Sequence, residues 1–198
     1  MLRELDRILV LVAGLPWLTL SLSGLAIGLY ALAGPAAGGA VYDRMAIANG
    51  EWWRWFSAHW IHSDAGHLAW NVAALLLLGC IVESYRRWLL PLGLLAGSLA
   101  VDLWLSLGTT GIMRYCGLSG ALNTLLILAL WAVWRRSGHP LVWIIGLGSL
   151  LKIVAETVTG QALLTQAAWA SVPLAHLAGW IGGCTLLLLY RSHSVRPC

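Results

Sequence analysis

Six apolar runs alternate with shorter polar segments along the chain, and most are about as long as a membrane span. A helix that crosses the hydrocarbon core needs about 20 apolar residues, and inside a bilayer each span must satisfy its own backbone polar groups. The pattern therefore predicts an all-α, polytopic membrane protein, a single domain over residues 1–198 built as a bundle of six transmembrane helices. The predicted helices cover residues 8–33, 67–83, 88–107, 119–134, 141–158 and 172–190.

The longest polar stretch, Val41 to Gly66, separates the first two apolar runs. Its four tryptophans favour the membrane–water boundary, so we predict a partly interfacial loop with short helical turns. Histidines occur at positions 59, 62 and 67, but their spacing is loose and no matching set of carboxylates or thiolates accompanies them. The pattern therefore does not favour a metal site.

Composition supports the assignment to a membrane. The 198 residues are 60% hydrophobic and 10% charged, whereas a soluble domain carries about 25% charged residues. The net charge of +4 comes from scattered residues, and we expect no nucleic-acid partner.

The four cysteines form no Cys-x-x-Cys pair, so we expect neither a metal nor another cofactor. The first apolar run is longer than the core of a signal peptide, and we expect it to be retained.

Lysine and arginine positions predict the topology. With six spans, eight arginines fall on one side of the membrane and three on the other, namely Arg44, Arg54 and Arg114. The positive-inside rule then puts both termini in the cytoplasm. In this topology Ser119 begins the fourth helix from the outer side, His67 and Asn71 begin the second, and His176 lies near the outer end of the sixth. Polar residues of three separate helices are thus predicted at one depth, facing the protein interior or a wet cavity.

The segment Gly117-Leu118-Ser119-Gly120 is the strongest candidate for chemistry. A helix N-terminus offers backbone N–H groups and a positive dipole end, and both favour an oxyanion beside a hydroxyl nucleophile. Taken alone, the small residues favour a structural reading, because such clusters are common packing surfaces between membrane helices. His176 likewise has a structural alternative, an interhelical hydrogen bond, and His67 and Asn71 can brace or cap a helix start.

The four residues together favour hydrolysis. A serine hydroxyl is a weak nucleophile that needs a base, and His176 can supply it if the fourth and sixth helices touch. No acid is expected to orient the imidazole, because Asp102 lies at a different depth and Glu156 follows Lys152 by four residues. We expect those two to form an ion pair that supports the bundle and does no chemistry. The prediction is a Ser–His dyad, with the oxyanion-stabilising groups still open among Asn71, His67 and the Ser119 backbone N–H.

At this point the chain resembles the rhomboid family of intramembrane serine proteases. Four motifs carry the resemblance: Trp53-Arg54, His67-x-x-x-Asn71, Gly117-x-Ser119-Gly120 and Ala175-His176-x-x-Gly179. The resemblance implies that Ser119 is the nucleophile and His176 the base. It also implies that Asn71 and His67, together with the backbone of Gly117, Leu118 and Ser119, surround the oxyanion.

Within the family the chain looks most like the rhombosortases. The cues are the minimal six-helix size, Arg-Tyr-Cys-Gly-Leu-Ser-Gly-Ala-Leu before the fourth helix, and Lys152 with Glu156 and Gly160 ahead of Val-Pro-Leu-Ala-His. This similarity implies substrates anchored by a C-terminal Gly-Gly tail signal, in a bacterial inner membrane, with the site toward the periplasm. Asn123 departs from the pattern, since rhomboids often have Tyr there and rhombosortases His. We expect it to hydrogen-bond near the dyad.

Three other functions stay open. A general rhomboid protease would cleave transmembrane helices without requiring the tail signal. A non-catalytic rhomboid-like protein would only bind membrane helices, although the presence of both Ser119 and His176 argues against it. A transporter could use the intramembrane ionisable residues as a proton path, but no inverted repeat is visible. The sequence does not predict the oligomeric state.

Overall fold

The computed structural model describes residues 14–107, 111–163 and 167–194, with side chains up to residue 190. These residues form eight α-helices, one 3₁₀ helix at Ala58–Trp60 and a two-stranded sheet of β1 (Tyr42–Asp43) and β2 (Arg114–Tyr115). The helices are α1 Trp17–Ala33, α2 Arg44–Ala48, α3 Arg54–Ser57, α4 Ala65–Tyr85, α5 Leu89–Ser106, α6 Ser119–Ser137, α7 Leu141–Thr159 and α8 Pro173–Ser194.

Four of these helices, α4, α5, α7 and α8, are long and apolar enough to cross a membrane. The chain is therefore a multi-pass membrane protein. Helix α1 is apolar but shorter, with 17 residues. Helix α6 has 19 residues, but it contains Asn123 and Thr124 and ends near Arg135 and Arg136, all of which lower its hydropathy. The count of six spans stays a prediction.

The start of α1 differs from the prediction. The apolar run predicted a helix from residue 8, whereas the described helix begins at Trp17, and Gly14, Leu15 and Pro16 are not helical. Pro16 occupies the N-cap position, and a proline disfavours helical conformation in the residue before it. Residues 8–13 of the predicted helix lie outside the described residues.

Helix α6 is the centre of the bundle and packs against α4, α5, α7 and α8. Leucines of α6 join others from α4 and α5 in the main buried cluster. Small residues let the helices approach closely: a Cβ at Gly97 of α5 would lie 2.7 Å from the Ala121 Cα of α6. The helix that begins with Ser119 is therefore held on several sides.

A buried carboxylate joins α1 to α4. Glu83 accepts hydrogen bonds from the Thr19 backbone N–H and the Thr19 hydroxyl, both at 2.8 Å. On the same side of α4, Gly79 leaves the room that the Thr19 side chain occupies. Charged groups inside membrane proteins need such partners because hydrocarbon offers none, and this contact fixes the first helix against the bundle.

The long loop after α1 is ordered by hydrogen bonds. The buried guanidinium of Arg54 donates to the carbonyl oxygens of Gly38 and Val41, at 2.6 and 2.9 Å, and pairs with Glu51. Strands β1 and β2 pair antiparallel, with Tyr42 opposite Tyr115. The short helices match the predicted helical turns, and the sheet ties this loop to the segment that leads directly into Ser119.

Candidate active site

Ser119 begins α6 after a tightly fixed turn. Gly117 has a φ of 112°, in the left-handed region that favours glycine. Its N–H donates to the Ala58 carbonyl at 2.9 Å, and the Tyr115 hydroxyl donates to the Gly117 carbonyl at 3.2 Å. Leu118 is buried and occupies the N-cap position without a side-chain cap. No side chain caps the start of α6, so the first backbone N–H groups of this helix, beside Ser119, have no capping partner.

His176 of α8 lies next to this serine, with its Nε2 3.0 Å from the Ser119 Oγ. Two glycines let the helices meet, because a Cβ at Gly179 would overlap the Gly120 carbonyl group. The Thr124 hydroxyl adds a hydrogen bond to the Gly179 carbonyl. The close approach of the Gly120 and Gly179 backbones therefore sets the distance between α6 and α8 beside the Ser119–His176 hydrogen bond.

His67 and Asn71 reach the same place from the first turns of α4. The His67 ring lies against Gly117, where a Cβ would be 2.5 Å from the ring Cε1. Its Nδ1 lies 3.1 Å from the Ser63 hydroxyl. The Asn71 amide donates to the His67 carbonyl at 2.8 Å, and an amide NH₂ has a second hydrogen to donate. Both residues line one cavity with Ser119 and His176.

Asp64 holds the start of α4 in position. Its carboxylate accepts from the His67 N–H at 2.8 Å and from the Ala168 N–H, in the loop before α8, at 2.7 Å. Burial alone would raise the pKa of Asp64, but these N–H groups, the Ser63 hydroxyl and the nearby His67 bring it down to about 2. The carboxylate is therefore ionised at neutral pH. The sequence analysis missed this residue, although an aspartate just before a helix is a common N-cap signal.

Two further polar residues border the serine. The Asn123 amide donates to the Ser119 carbonyl at 2.8 Å, one turn earlier in α6. Cys116 is buried in the turn and lines the cavity. Burial first, and then the charge of Asp64, raise the pKa of the Cys116 thiol to about 12. The thiol therefore stays protonated at neutral pH and is a poor nucleophile beside Ser119.

The cavity that contains these residues has a volume of about 700 Å³. Besides Ser119 and His176, its lining includes Trp70 and Leu78 of α4 and Lys152 and Ile153 of α7. Apolar walls with a few convergent polar groups are typical of a binding site.

The acidic residues of the bundle differ in their partners. Asp102 has His59 as its partner, with the Asp102 Oδ1 2.9 Å from the His59 Nε2. Glu156 accepts from Lys152 at 2.7 Å through its Oε1, as the spacing predicted. Its other oxygen, Oε2, lies 4.0 Å from the Nδ1 of His176. The sequence analysis missed this second neighbour.

The histidines of the long loop have separate partners. His59 pairs with Asp102, and the His62 ring packs edge-on against the His67 ring at 5.2 Å between centroids. Burial, followed by the charge of His67, lowers the pKa of His62 to about 4, so this ring is neutral at pH 7. Over residues 14–107, 111–163 and 167–194, no group of three or more metal-ligating side chains is present.

A comparison with protein-family models finds one that covers most of the chain. The model described as Rhomboid domain matches residues 49–193. The match begins just before Trp53-Arg54 and ends after His176, and so includes all four motifs of the sequence analysis. No curated protein matches the chain.

Proposed function

Because the chain belongs to the rhomboid family, whose members are generally intramembrane serine proteases, we propose that it is a serine endopeptidase with a Ser119–His176 pair at its centre. One observation carries the proposal, the 3.0 Å contact between the His176 Nε2 and the Ser119 Oγ, two residues that line the cavity. A nucleophile within hydrogen-bond reach of a base is the arrangement that this chemistry requires.

In the proposed reaction, Ser119 Oγ attacks the carbonyl carbon of the scissile peptide bond while His176 Nε2 takes the hydroxyl proton. The tetrahedral intermediate carries an oxyanion, and we assign its stabilisation to the Asn71 amide, His67 and the N–H groups of the turn from Gly117 to Ser119. His176 then gives its proton to the leaving amine as the C–N bond breaks. Water hydrolyses the resulting ester of Ser119 by the same steps in reverse order.

The proposed substrates are membrane-anchored proteins with a C-terminal tail of the Gly-Gly type, as for a rhombosortase. The sequence cues at residues 114–122 and 151–176 support this choice over a general rhomboid protease. Glycines give an extended or bent backbone at little steric cost, which suits entry into a site closely bordered by α4, α6 and α8. We place the protein in a bacterial inner membrane with cytoplasmic termini and the site toward the periplasm, on the arginine distribution.

The first test is labelling by a fluorophosphonate probe, which reacts with activated serine hydroxyls. We expect wild type to be labelled and Ser119→Ala to be unlabelled. Ser149→Ala is a matched control, because Ser149 lines the same cavity but donates to the Gly146 carbonyl at 2.7 Å, and we expect it to label like wild type. Absence of labelling in wild type would favour the non-catalytic helix-binding protein.

The second test addresses the substrate. A reporter that ends in Gly-Gly, an apolar helix and a basic tail should be cleaved by wild type and not by Ser119→Ala or His176→Ala. Because the two residues act as a unit, the double variant should be no worse than either single one. A matched reporter with Leu-Leu in place of Gly-Gly should resist cleavage. Equal cleavage of both reporters would support the general rhomboid protease instead.

A further inference from the structure

We propose that Glu156 is a positioning residue that orients the His176 imidazole, so that the site works as a Ser119–His176–Glu156 triad. This inference rests on the proteolytic function proposed above. It replaces the expectation that Glu156 and Lys152 form an ion pair with no part in the chemistry.

The two oxygens of Glu156 are in different environments. Oε1 accepts from the Lys152 ammonium at 2.7 Å and from the Leu163 N–H at 2.9 Å. Oε2 is buried, has no hydrogen-bond partner within the described part of the chain, and lies 4.0 Å from the Nδ1 of His176. The residue as a whole is only 1% exposed. A buried acceptor without a donor is costly, and the imidazole Nδ1 is the group that can satisfy it.

Lys152 and Leu163 explain why Oε2 points as it does. These two donors hold Oε1, and the remaining oxygen, Oε2, is the one that lies near His176 of α8. Lys152 itself is partly exposed, with 29% of its side chain accessible, and it lines the cavity. The ion pair with Lys152 thus holds the Glu156 carboxylate in place, and the Oε2 of that carboxylate is left to accept from His176.

The contact has a definite chemical consequence. If Nδ1–H donates to Oε2, the imidazole is held as the tautomer whose Nε2 carries no proton. That nitrogen then accepts the Ser119 hydroxyl proton, 3.0 Å away. A distance of 4.0 Å is longer than a hydrogen bond, but such bonds are often long in free enzymes and tighten when substrate binds. Closing it to about 3 Å needs a shift of about 1 Å.

The other ionisable groups around His176 do not compete for Nδ1. On α5, Asp102 is paired with His59. On α4, the His67 ring has its Nδ1 beside the Ser63 hydroxyl. On the turn before α6, the Tyr115 hydroxyl is bonded to the Gly117 carbonyl, and the Cys116 thiol is protonated. Arg114 stacks on the Trp169 ring. On α7, Lys152 is held by Glu156, which leaves the Glu156 carboxylate as the acceptor.

The decisive experiment is nitrogen NMR of the protein labelled with ¹⁵N-histidine, with the His176 signals assigned from a His176→Ala variant. We expect the Nδ1–H tautomer in wild type. In Glu156→Gln the new amide can donate to Nδ1, so the population should shift toward the Nε2–H tautomer. An unchanged tautomer in Glu156→Gln overturns the proposal. This measurement does not need catalysis, so it separates a failed contact from a failed assignment of function.

Kinetics on the tail reporter give the second reading. Glu156→Gln should lower kcat by about 10²-fold with KM within about twofold, since orientation matters in the transition state and not for binding. The matched control is Glu83→Gln, another buried membrane glutamate, far from the site and bonded to Thr19; we expect its kcat to stay near wild type.

The double variant Lys152→Met/Glu156→Gln guards against a folding artefact. Removing both charges avoids leaving one of them buried without a partner, so stability should recover while kcat stays low. A double variant with wild-type kcat would reduce Glu156 to a partner of Lys152 and overturn the proposal. If wild type neither cleaves nor labels but the tautomer still responds to Glu156→Gln, the proteolytic function is wrong and the contact stands.

Discussion

The contact between α6 and α8 predicts that Gly179→Ala abolishes activity. A Cβ at position 179 would lie 2.7 Å from the carbonyl carbon of Gly120 and still closer to its oxygen. Because carbon atoms normally approach to about 3.5 Å, the helices must separate by about 1 Å or more. The obstacle is backbone in the first turn of α6, so no side-chain rotation can relieve it.

The expected loss follows from that displacement. Ser119 and His176 lie on the two helices that must part, and their 3.0 Å contact would lengthen beyond hydrogen-bond range. A misplacement of about 1 Å can cost about 10² in rate, and we expect at least that loss in cleavage of the tail reporter. Overpacking should also lower stability by about 1–3 kcal/mol, measured by thermal unfolding in detergent.

The control is Gly28→Ala in α1, where a Cβ would meet nothing within 4 Å. There alanine should leave cleavage unchanged and raise stability slightly, since it favours the helix by about 1 kcal/mol over glycine. Cleavage and probe labelling at wild-type levels in Gly179→Ala would show that the α6–α8 distance does not control the reaction.

Three further predictions concern residues around the serine. Asn71→Ala should lower kcat by about 10²–10³ with little change in KM; a fall in melting temperature large enough to explain the loss would argue for a structural role. Gly117→Ala should lower the melting temperature, because its positive φ costs a non-glycine residue about 1–2 kcal/mol and its Cβ would press on the His67 ring; an unchanged melting temperature would contradict this. The folded-state pKa of Asp64 is about 2, below its ordinary value of 3.8, so its contribution to stability is complete above about pH 4 and is lost as the pH falls toward 2. In Asp64→Asn, which keeps a capping side chain without the charge, thermal unfolding across this range should show a shallower fall; an identical slope would exclude Asp64 as the cause.

The apolar runs predicted most helix positions well because the turns between them are chemically distinct. Helix α7 was expected over 141–158 and runs from Leu141 to Thr159, with Pro140 before it and Gly160 after it in the left-handed conformation. The prediction of a helix through residues 14–16 was wrong because apolar character continues past Pro16, whereas a proline disfavours helical conformation in the residue before it. The β1–β2 pair escaped prediction because two residues are too few to show an alternating pattern.

The sequence predicted which helix ends meet at the candidate site, but not how each helix is rotated about its axis. The alternating topology predicted that Ser119 and His176 approach each other, and their side chains lie 3.0 Å apart. Their roles in catalysis and their depth in the membrane stay predictions. Whether a residue faces its helix neighbour or another helix depends on the rotation of each helix, which packing sets. The spacing of four residues between Lys152 and Glu156 already accounted for a buried glutamate as an ion pair. Nothing in the sequence indicated that the second oxygen of Glu156 approaches His176. Likewise, Asp102 pairs with His59. His59 lies in the long loop, whose position the apolar pattern does not predict.

The central position of α6 has a consequence for biogenesis. Helices α4, α5, α7 and α8 are apolar enough for the bilayer to accept each of them singly, whereas α6 carries Asn123 and Thr124 near its start and two arginines at its end. Insertion into a membrane reflects the summed transfer free energy of a segment, so α6 gains more from neighbouring helices than from lipid. We expect it to enter the membrane efficiently after α4 and α5 have been made, and poorly when expressed without them. The helix that starts with Ser119 would then reach its place through assembly with its neighbours.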